Sequence, residues 1–125
     1  YEKELLDKSV VRYDTVYQWR RIYFRDNKSN QCPTLTANMG TGGWNVPIIL
    51  TDEYNKSYRR KRKLTPRECF NLQGFPSKSA NNGYKFKHHF KIPEDLSNTQ
   101  LYKQAGNSVA VPLIRKLANT IKKVF

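Results

Sequence analysis

Side chains suited to reading hydrogen-bond patterns are concentrated in residues 15–25, which read TVYQWRRIYFR. An Arg side chain can donate two parallel hydrogen bonds to guanine, and a Gln side chain can pair with the edge of adenine. The aromatic and β-branched residues between them favour a strand with mixed faces. The candidate contact residues are Gln18, Arg20, Arg21 and Arg25. The alternative is a half-exposed strand whose Arg side chains lie over Tyr and Trp rings or contact phosphate.

A second candidate segment, residues 31–50, contains no charged residue, although the chain carries a formal charge of +13. It reads QCPTLTANMGTGGWNVPIIL. Glycines allow a backbone to approach a ligand closely and expose N–H donors. The candidate contact residues are Thr34, Thr36, Asn38, Thr41, Gly42 and Gly43. The alternative is a glycine turn that joins strands at residues 34–37 and 46–50.

Thiol and imidazole groups are few in this chain. Cys32 and Cys69 have no CxxC or His-spaced partners, so the sequence predicts buried free thiols rather than a disulfide or a zinc site. His88 and His89 are adjacent in a polar segment, which favours a solvated loop or edge strand over a metal site. We therefore expect no metal.

The length and net charge of the chain limit the kinds of protein to which these residues can belong. The chain has 125 residues, with 23 Lys and Arg against 10 Asp and Glu. This size fits one compact domain or part of one, and the excess of positive charge indicates a polyanionic partner such as nucleic acid. No apolar run reaches the roughly 18 residues of a membrane span, so we expect a soluble, cytoplasmic protein.

Two capping boxes and an apolar stripe predict three helices. Thr65 and Glu68 flank Pro66 and predict a short helix over residues 66–73, with core-facing Cys69, Leu72 and Phe75. Ser97 and Gln100 predict another that ends near Gln104, before AGNS. The last helix begins near Pro112 and carries an apolar stripe on one face, formed by Leu113, Ile114, Leu117, Ala118, Ile121 and Val124.

Three of these segments together resemble the C-terminal third of bacterial DNA (cytosine-5) methyltransferases. RKLTPRECFNLQGFP, residues 62–76, is similar to the ninth conserved motif of that family, and QAGNSVAVPLI, residues 104–114, to the tenth. PTLTANMGTGGWNVPII, residues 33–49, resembles the end of its target-recognition domain. Trp44 departs from the pattern, because a smaller or more polar residue, often His, is expected there.

The resemblance implies an α+β fold. Residues 1–87 would form a small, mostly β target-recognition domain that includes the TPREC helix. Residues 88–125 would form a return segment with a GNS loop and a C-terminal helix that packs on an α/β catalytic domain. The Phe-x-Gly-x-Gly, Pro-Cys and Glu-Asn-Val motifs of that catalytic domain do not occur in this sequence. We therefore expect a fragment, or the smaller subunit of a split enzyme, that does not transfer methyl groups alone.

The resemblance also implies roles for individual residues. The two candidate segments would contact double-stranded DNA, and Gly106, Asn107 and Ser108 would lie beside the cofactor S-adenosylmethionine, although a helix cap alone would also explain these three residues. Thr65, Arg67 and Glu68 would be structural. The expected partners are duplex DNA and a catalytic half, with no membrane.

The function that this resemblance implies is target recognition within a cytosine-5 DNA methyltransferase of a bacterial restriction–modification system. The alternative is a basic module that binds nucleic acid without sequence preference and without an enzyme partner. An RNA methyltransferase is less favoured, because A-form RNA closes its major groove to side chains.

Overall fold

A computed structural model describes residues 3–42, 45–52, 59–76 and 90–124. The segment that contains His88 and His89 lies outside these ranges, as do Gly43 and Trp44. Within them the fold is α+β, as the sequence predicts. Four helices surround a small antiparallel sheet in the described ranges: α1 (Lys3–Ser9), α2 (Pro66–Leu72), α3 (Asn98–Asn107) and α4 (Val111–Ile121). Two short 3₁₀ turns lie at Lys28–Asn30 and Met39–Thr41.

The sheet has the strand order β2-β1-β3-β4. Its strands are β1 (Tyr17–Trp19), β2 (Phe24–Asp26), β3 (Pro47–Asp52) and β4 (Arg59–Lys63). In the register, Tyr17 lies opposite both Asp26 and Ile48, and Ile48 lies opposite Lys63. β1 and β3 therefore occupy the centre, where the side chains of Tyr17 and Ile48 are buried.

The single strand expected over residues 15–25 is wrong. The chain reverses after Trp19, where the backbone N–H of Arg20 donates a hydrogen bond of 2.9 Å to the carbonyl of Tyr23. Arg21 takes the left-handed conformation, with φ at 73°, that such a tight turn requires. Glycine or Asn is the residue usually found there, so the sequence carries no turn signal at this position. The alternative glycine hairpin is also wrong, because residues 34–37 form no strand.

Both predicted capping boxes are confirmed. In α2, the hydroxyl of Thr65 accepts a hydrogen bond from the backbone N–H of Glu68, and the Glu68 carboxylate accepts one from the backbone N–H of Thr65. Cys69 is fully buried and Phe75 packs on the core, but Leu72 is about half exposed, so the expectation that it faces the core is wrong. Phe70, two positions before Leu72 in α2, is buried instead and packs its ring edge-on against Phe75.

Helix α3 does not end near Gln104 as expected but continues to Asn107, with Ser108 as its C-cap. Consequently Gly106 and Asn107 lie in its last turn rather than in a loop. A Cβ at Gly106 would lie 2.3 Å from the backbone nitrogen of Ala37 and 2.3 Å from the carbonyl carbon of Thr36. The helix therefore lies directly on the backbone of the glycine-rich segment.

Helix α3 also completes the hydrophobic core. Leu101, Tyr102 and Ala105 are buried, and the Tyr102 hydroxyl donates a hydrogen bond of 2.5 Å to the carbonyl of Leu64. Gly40 packs against the Tyr102 side chain. Residues before and after position 87 thus share one core. The assignment of residues 88–125 to a catalytic domain stays a prediction.

Helix α4 is attached mainly by its first turn. The backbone N–H of Val111 donates to the carbonyl of Gln73, and Pro112 packs on Gly74, which has a φ of 81°. No residue of α4 is buried by the described part of the chain. Its apolar stripe, with Leu113, Ile114, Leu117 and Ile121, is about half exposed.

Replacing Gly106 with alanine tests the contact between α3 and the glycine-rich segment. Helix propensity alone would stabilise the variant by up to about 1 kcal/mol. Because the added Cβ would overlap the backbone of residues 36 and 37, we expect instead a loss of about 1–3 kcal/mol in the free energy of unfolding, measured by urea denaturation. The matched control is Asn107→Ala, at the exposed neighbouring position, which should change stability little. A Gly106→Ala variant as stable as the wild type would contradict the contact.

Candidate nucleic-acid interface

A polar cleft of about 500 Å³ lies beside the β1–β2 hairpin. Both candidate segments contribute to it, because Gln18, Arg20 and Arg25 come from the first and Thr34 from the second. The remaining walls are formed by Asn27, Lys28, Ser29, Gln31, Cys32, Pro33 and Asn45. Three of the lining residues are cationic and none is acidic. The cleft therefore suits a ligand rich in hydrogen-bond acceptors or negative charge.

Asn45 connects the hairpin to the start of β3. Its side-chain Oδ1 accepts a hydrogen bond of 2.9 Å from Nε2 of Gln18 and one of 2.8 Å from Nη1 of Arg20. Its backbone N–H donates to the carbonyl of Trp19. Asn45 has a φ of 66°, which Asn tolerates better than most residues. Gln18 is buried, and its side-chain amide is hydrogen-bonded within the protein.

Two buried donor atoms in the cleft residues have no hydrogen-bond partner among the described residues. They are Nε of Arg20 and Nδ2 of Asn27. A buried donor without a partner costs about 1–3 kcal/mol.

The hairpin tip projects from the sheet next to the cleft. Arg21 is exposed, Ile22 is 78% exposed and Tyr23 is half exposed. Arg25, on β2, is also exposed. The tip thus presents cationic and apolar groups together, the combination expected of a loop that enters a nucleic-acid groove.

Among the described candidate contact residues of the second segment, Thr36, Asn38, Thr41 and Gly42 do not line this cleft. Thr36 lies under α3, whereas Asn38 and Thr41 form a surface turn in which the Thr41 hydroxyl donates to the Asn38 carbonyl. Gly42, with a φ of 79°, lines a separate cavity of about 500 Å³ beside Trp19 and Lys61. Of the six candidate contact residues of the second segment, Thr34 is therefore the one described at the cleft together with those of the first.

Both thiols are protonated at neutral pH. Cys32 and Cys69 are free, and burial raises the pKa of Cys32 to about 11 and that of Cys69 to about 12. Since the thiolate is the nucleophilic form, neither residue is set up for covalent attack. In the described ranges no three His, Cys, Asp or Glu side chains gather in a way that would hold a metal ion.

The comparison with known proteins decides the family. The family model of C-5 cytosine-specific DNA methylases matches residues 2–123. The chain belongs to this family. It is 53% identical over 118 residues to the type II methyltransferase M.Bsp6I of Bacillus sp. strain RFL6, covering 94% of this chain and 32% of that protein. It is also 39% identical over 83 residues to the DNA-cytosine methyltransferase of Escherichia coli K12, covering 64% and 16% of the two chains.

This methylase chain thus spans about a third or less of the length of these relatives. No solved structure matches it. None of its helices in the described ranges is long and apolar enough to cross a membrane.

The Arg-Glu sequence of the ninth methylase motif makes two separate contacts. Glu68 pairs not with Arg67 but with Arg62 of β4, through bonds of 2.8 and 2.9 Å. Arg67 instead donates to the carbonyl of Phe90. The hydrogen bonds from Arg62, then those from Thr65, lower the pKa of Glu68 to about 2 against the opposing effect of burial. This pair joins the sheet to α2.

Three consecutive basic residues, 61–63, make contacts within the fold. Besides the Arg62 pair, Lys61 bonds to Asp7 at 2.5 Å with only 14% of its side chain exposed. Lys63 donates to the carbonyl of Gly40 and lies over the Tyr102 ring. Part of the positive charge in this methylase chain therefore stabilises its own fold.

Two of the residues expected beside S-adenosylmethionine, Gly106 and Ser108, also make contacts that stabilise the fold. Gly106 packs on the glycine-rich segment, and the Ser108 hydroxyl donates a 2.7 Å bond to the carbonyl of Ala105, closing α3. Only Asn107 presents an exposed polar side chain. The position of these three residues beside the cofactor stays a prediction.

Sequence reasoning missed Asn27 and Asn45, which line the cleft, and Arg62, which lies outside the cleft and pairs with Glu68. The available signal for Asn45 was its position directly after the sequence Gly-Gly-Trp, where a residue that tolerates positive φ is favoured. Arg62 lies within a run of five basic residues, so its sequence context does not distinguish it from its neighbours.

Replacing Glu68 with Gln tests the charge of the Arg62–Glu68 pair. A carboxylate whose pKa is lowered on folding stabilises the protein above its ordinary pKa of 4.5, and this contribution is lost as the pH falls through about 2. We expect Glu68→Gln to lower the free energy of unfolding at pH 7 by about 1 kcal/mol, and the difference from the wild type to shrink towards pH 2. With Arg62 already replaced by alanine, the same substitution should have a much smaller effect. Equal effects in both backgrounds would contradict the pairing.

Proposed function

We propose that this chain provides DNA target recognition to a cytosine-5 DNA methyltransferase, which transfers a methyl group to cytosine in a specific duplex site. The observation that carries the proposal is the cationic cleft beside an exposed hairpin, in a chain of the C-5 cytosine-specific methylase family. Relatives named type II methyltransferases support a restriction–modification role.

The state of the thiols supports a division of labour. Attack on cytosine requires a thiolate, and the chain has only two cysteines, whose raised pKa values keep both protonated. A catalytic part would therefore supply the nucleophile and bind S-adenosylmethionine, which provides the methyl group. We infer that the 125-residue chain does not transfer methyl groups alone.

The chemistry of the reaction explains why a recognition surface is needed. The target cytosine must leave the duplex, at a cost of a few kcal/mol. Contacts between the protein and the rest of the site must recover that cost. The exposed Arg21 and Arg25 are placed to contact phosphate or bases near the cleft, and the turn around Asn38 and Thr41 offers a second contact.

The exposed stripe of α4 offers a surface for the catalytic part. Leu113, Leu117 and Ile121 lie on one helical face and are about half exposed in the described chain. An apolar face of this kind is usually covered by a partner. We propose that it packs on the catalytic domain, so that recognition and chemistry are held in a fixed relation.

A chimera tests this function. In it, this chain replaces the aligned 118-residue segment of M.Bsp6I, and incorporation of labelled methyl groups from S-adenosylmethionine into duplex DNA is measured. We expect the chimera to methylate one short cytosine-containing site, and the isolated chain to incorporate no label. Incorporation by the isolated chain would refute its dependence on a catalytic part.

The alternative, a basic module without sequence preference, predicts a different result. Its DNA affinity would fall steeply with salt, with a slope of about −0.9 per phosphate contacted, and would not vary with sequence. A folded chimera that binds every duplex equally and methylates none would therefore favour the basic module over the proposed function.

A further inference from the structure

We propose that Arg20 recognises a guanine in the target site through the Nε edge of its guanidinium group, with Asn45 as the residue that positions it. This inference rests on the proposed function and deepens it, because it assigns one base contact to one side chain. It distinguishes Arg20 from the other arginines of the hairpin.

Arg20 is fixed at both ends. Its backbone N–H bonds to the carbonyl of Tyr23 across the hairpin turn, and its Nη1 bonds to Oδ1 of Asn45 at 2.8 Å. Asn45 is in turn fixed by Gln18 and by the carbonyl of Trp19. Because these bonds fix the orientation of the guanidinium group before a ligand binds, less conformational entropy is lost on binding.

The unused edge of the guanidinium is the one suited to guanine. Since Nη1 is bonded to Asn45, the Nε and Nη2 donors form a parallel fork on the other edge. Arg20 lines the cleft, and its Nε is buried and lacks a partner among the described residues. Guanine presents N7 and O6 as two adjacent acceptors in the major groove, which match such a fork.

The surroundings of Arg20 favour a base edge over a phosphate. The amides of Asn27, Gln31 and Asn45 line the cleft and offer both donors and acceptors, as base edges do, and Nδ2 of Asn27 is a second buried donor without a described partner. A phosphate offers acceptors only and lies on the outside of a duplex. The exposed Arg25 and Lys28 at the same cleft are better placed for it.

The guanine contact can be tested by removing one acceptor at a time. The preferred site of the full chain is first selected from a randomised duplex library at about 0.15 M salt. Each guanine of that site is then replaced in turn by 7-deazaguanine, which lacks N7 but still pairs with cytosine. We expect one replacement to weaken binding of the wild type about tenfold and to leave the affinity of Arg20→Met, which has no hydrogen-bond donor, unchanged. The matched control Arg25→Met should remain sensitive to that replacement.

The outcomes separate this proposal from the proposed function. If every 7-deazaguanine affects Arg20→Met and the wild type equally, Arg20 does not contact guanine N7 and the proposal is wrong. If one neutral methylphosphonate linkage abolishes the difference between the two proteins instead, Arg20 contacts phosphate, which also overturns it. If the library yields no preferred site for any protein, the recognition function itself fails and the base contact fails with it.

Two substitutions at Asn45 test its positioning role and do not depend on the Arg20 variant folding. Asn45→Gly keeps the left-handed backbone accessible but removes the acceptor for Arg20, so sensitivity to the critical 7-deazaguanine should be lost. Asn45→Asp keeps an acceptor and should retain the sensitivity, although its negative charge lowers affinity for all duplexes. Retention of the sensitivity in Asn45→Gly would show that Asn45 does not position Arg20.

Discussion

The direct contact of helix α3 with the backbone of residues 36 and 37 is the constraint on which the rest of the fold depends. It exists only because position 106 has no side chain. The same helix inserts Leu101, Tyr102 and Ala105 into the core, and Tyr102 bonds to the segment between β4 and α2. A segment that resembles the tenth methylase motif is thereby joined to one that resembles the recognition domain, although they lie far apart in sequence.

The elements that the sequence predicted well are those whose ends are determined locally. Thr65 with Glu68, and Ser97 with Gln100, satisfy exposed backbone groups within one helical turn, so both helix starts follow from four consecutive residues. The end of α3 could not be predicted in this way. The helix continues through Gly106 because it packs against a segment about 70 residues earlier in the chain. A local sequence pattern cannot predict such a contact.

The hairpin and the cleft show a second limit of local reasoning. The turn at Arg21 uses a positive φ without glycine, and the link between Gln18, Arg20 and Asn45 joins residues 25 and 27 positions apart. The types of residue at the interface could be predicted from composition and spacing. Which of them are engaged inside the protein, as Gln18 is, and which remain exposed, as Arg25 is, depends on the three-dimensional arrangement.

The exposed tip of the β1–β2 hairpin has a consequence for how such proteins diverge. Arg21, Ile22 and Tyr23 are exposed to solvent, while the turn beneath them is held by backbone hydrogen bonds and by Asn45. Substitutions at exposed positions usually change stability by less than about 0.5 kcal/mol. Evolution can therefore vary the tip with little penalty to folding, and a new sequence preference can arise by single substitutions while the supporting core is inherited unchanged.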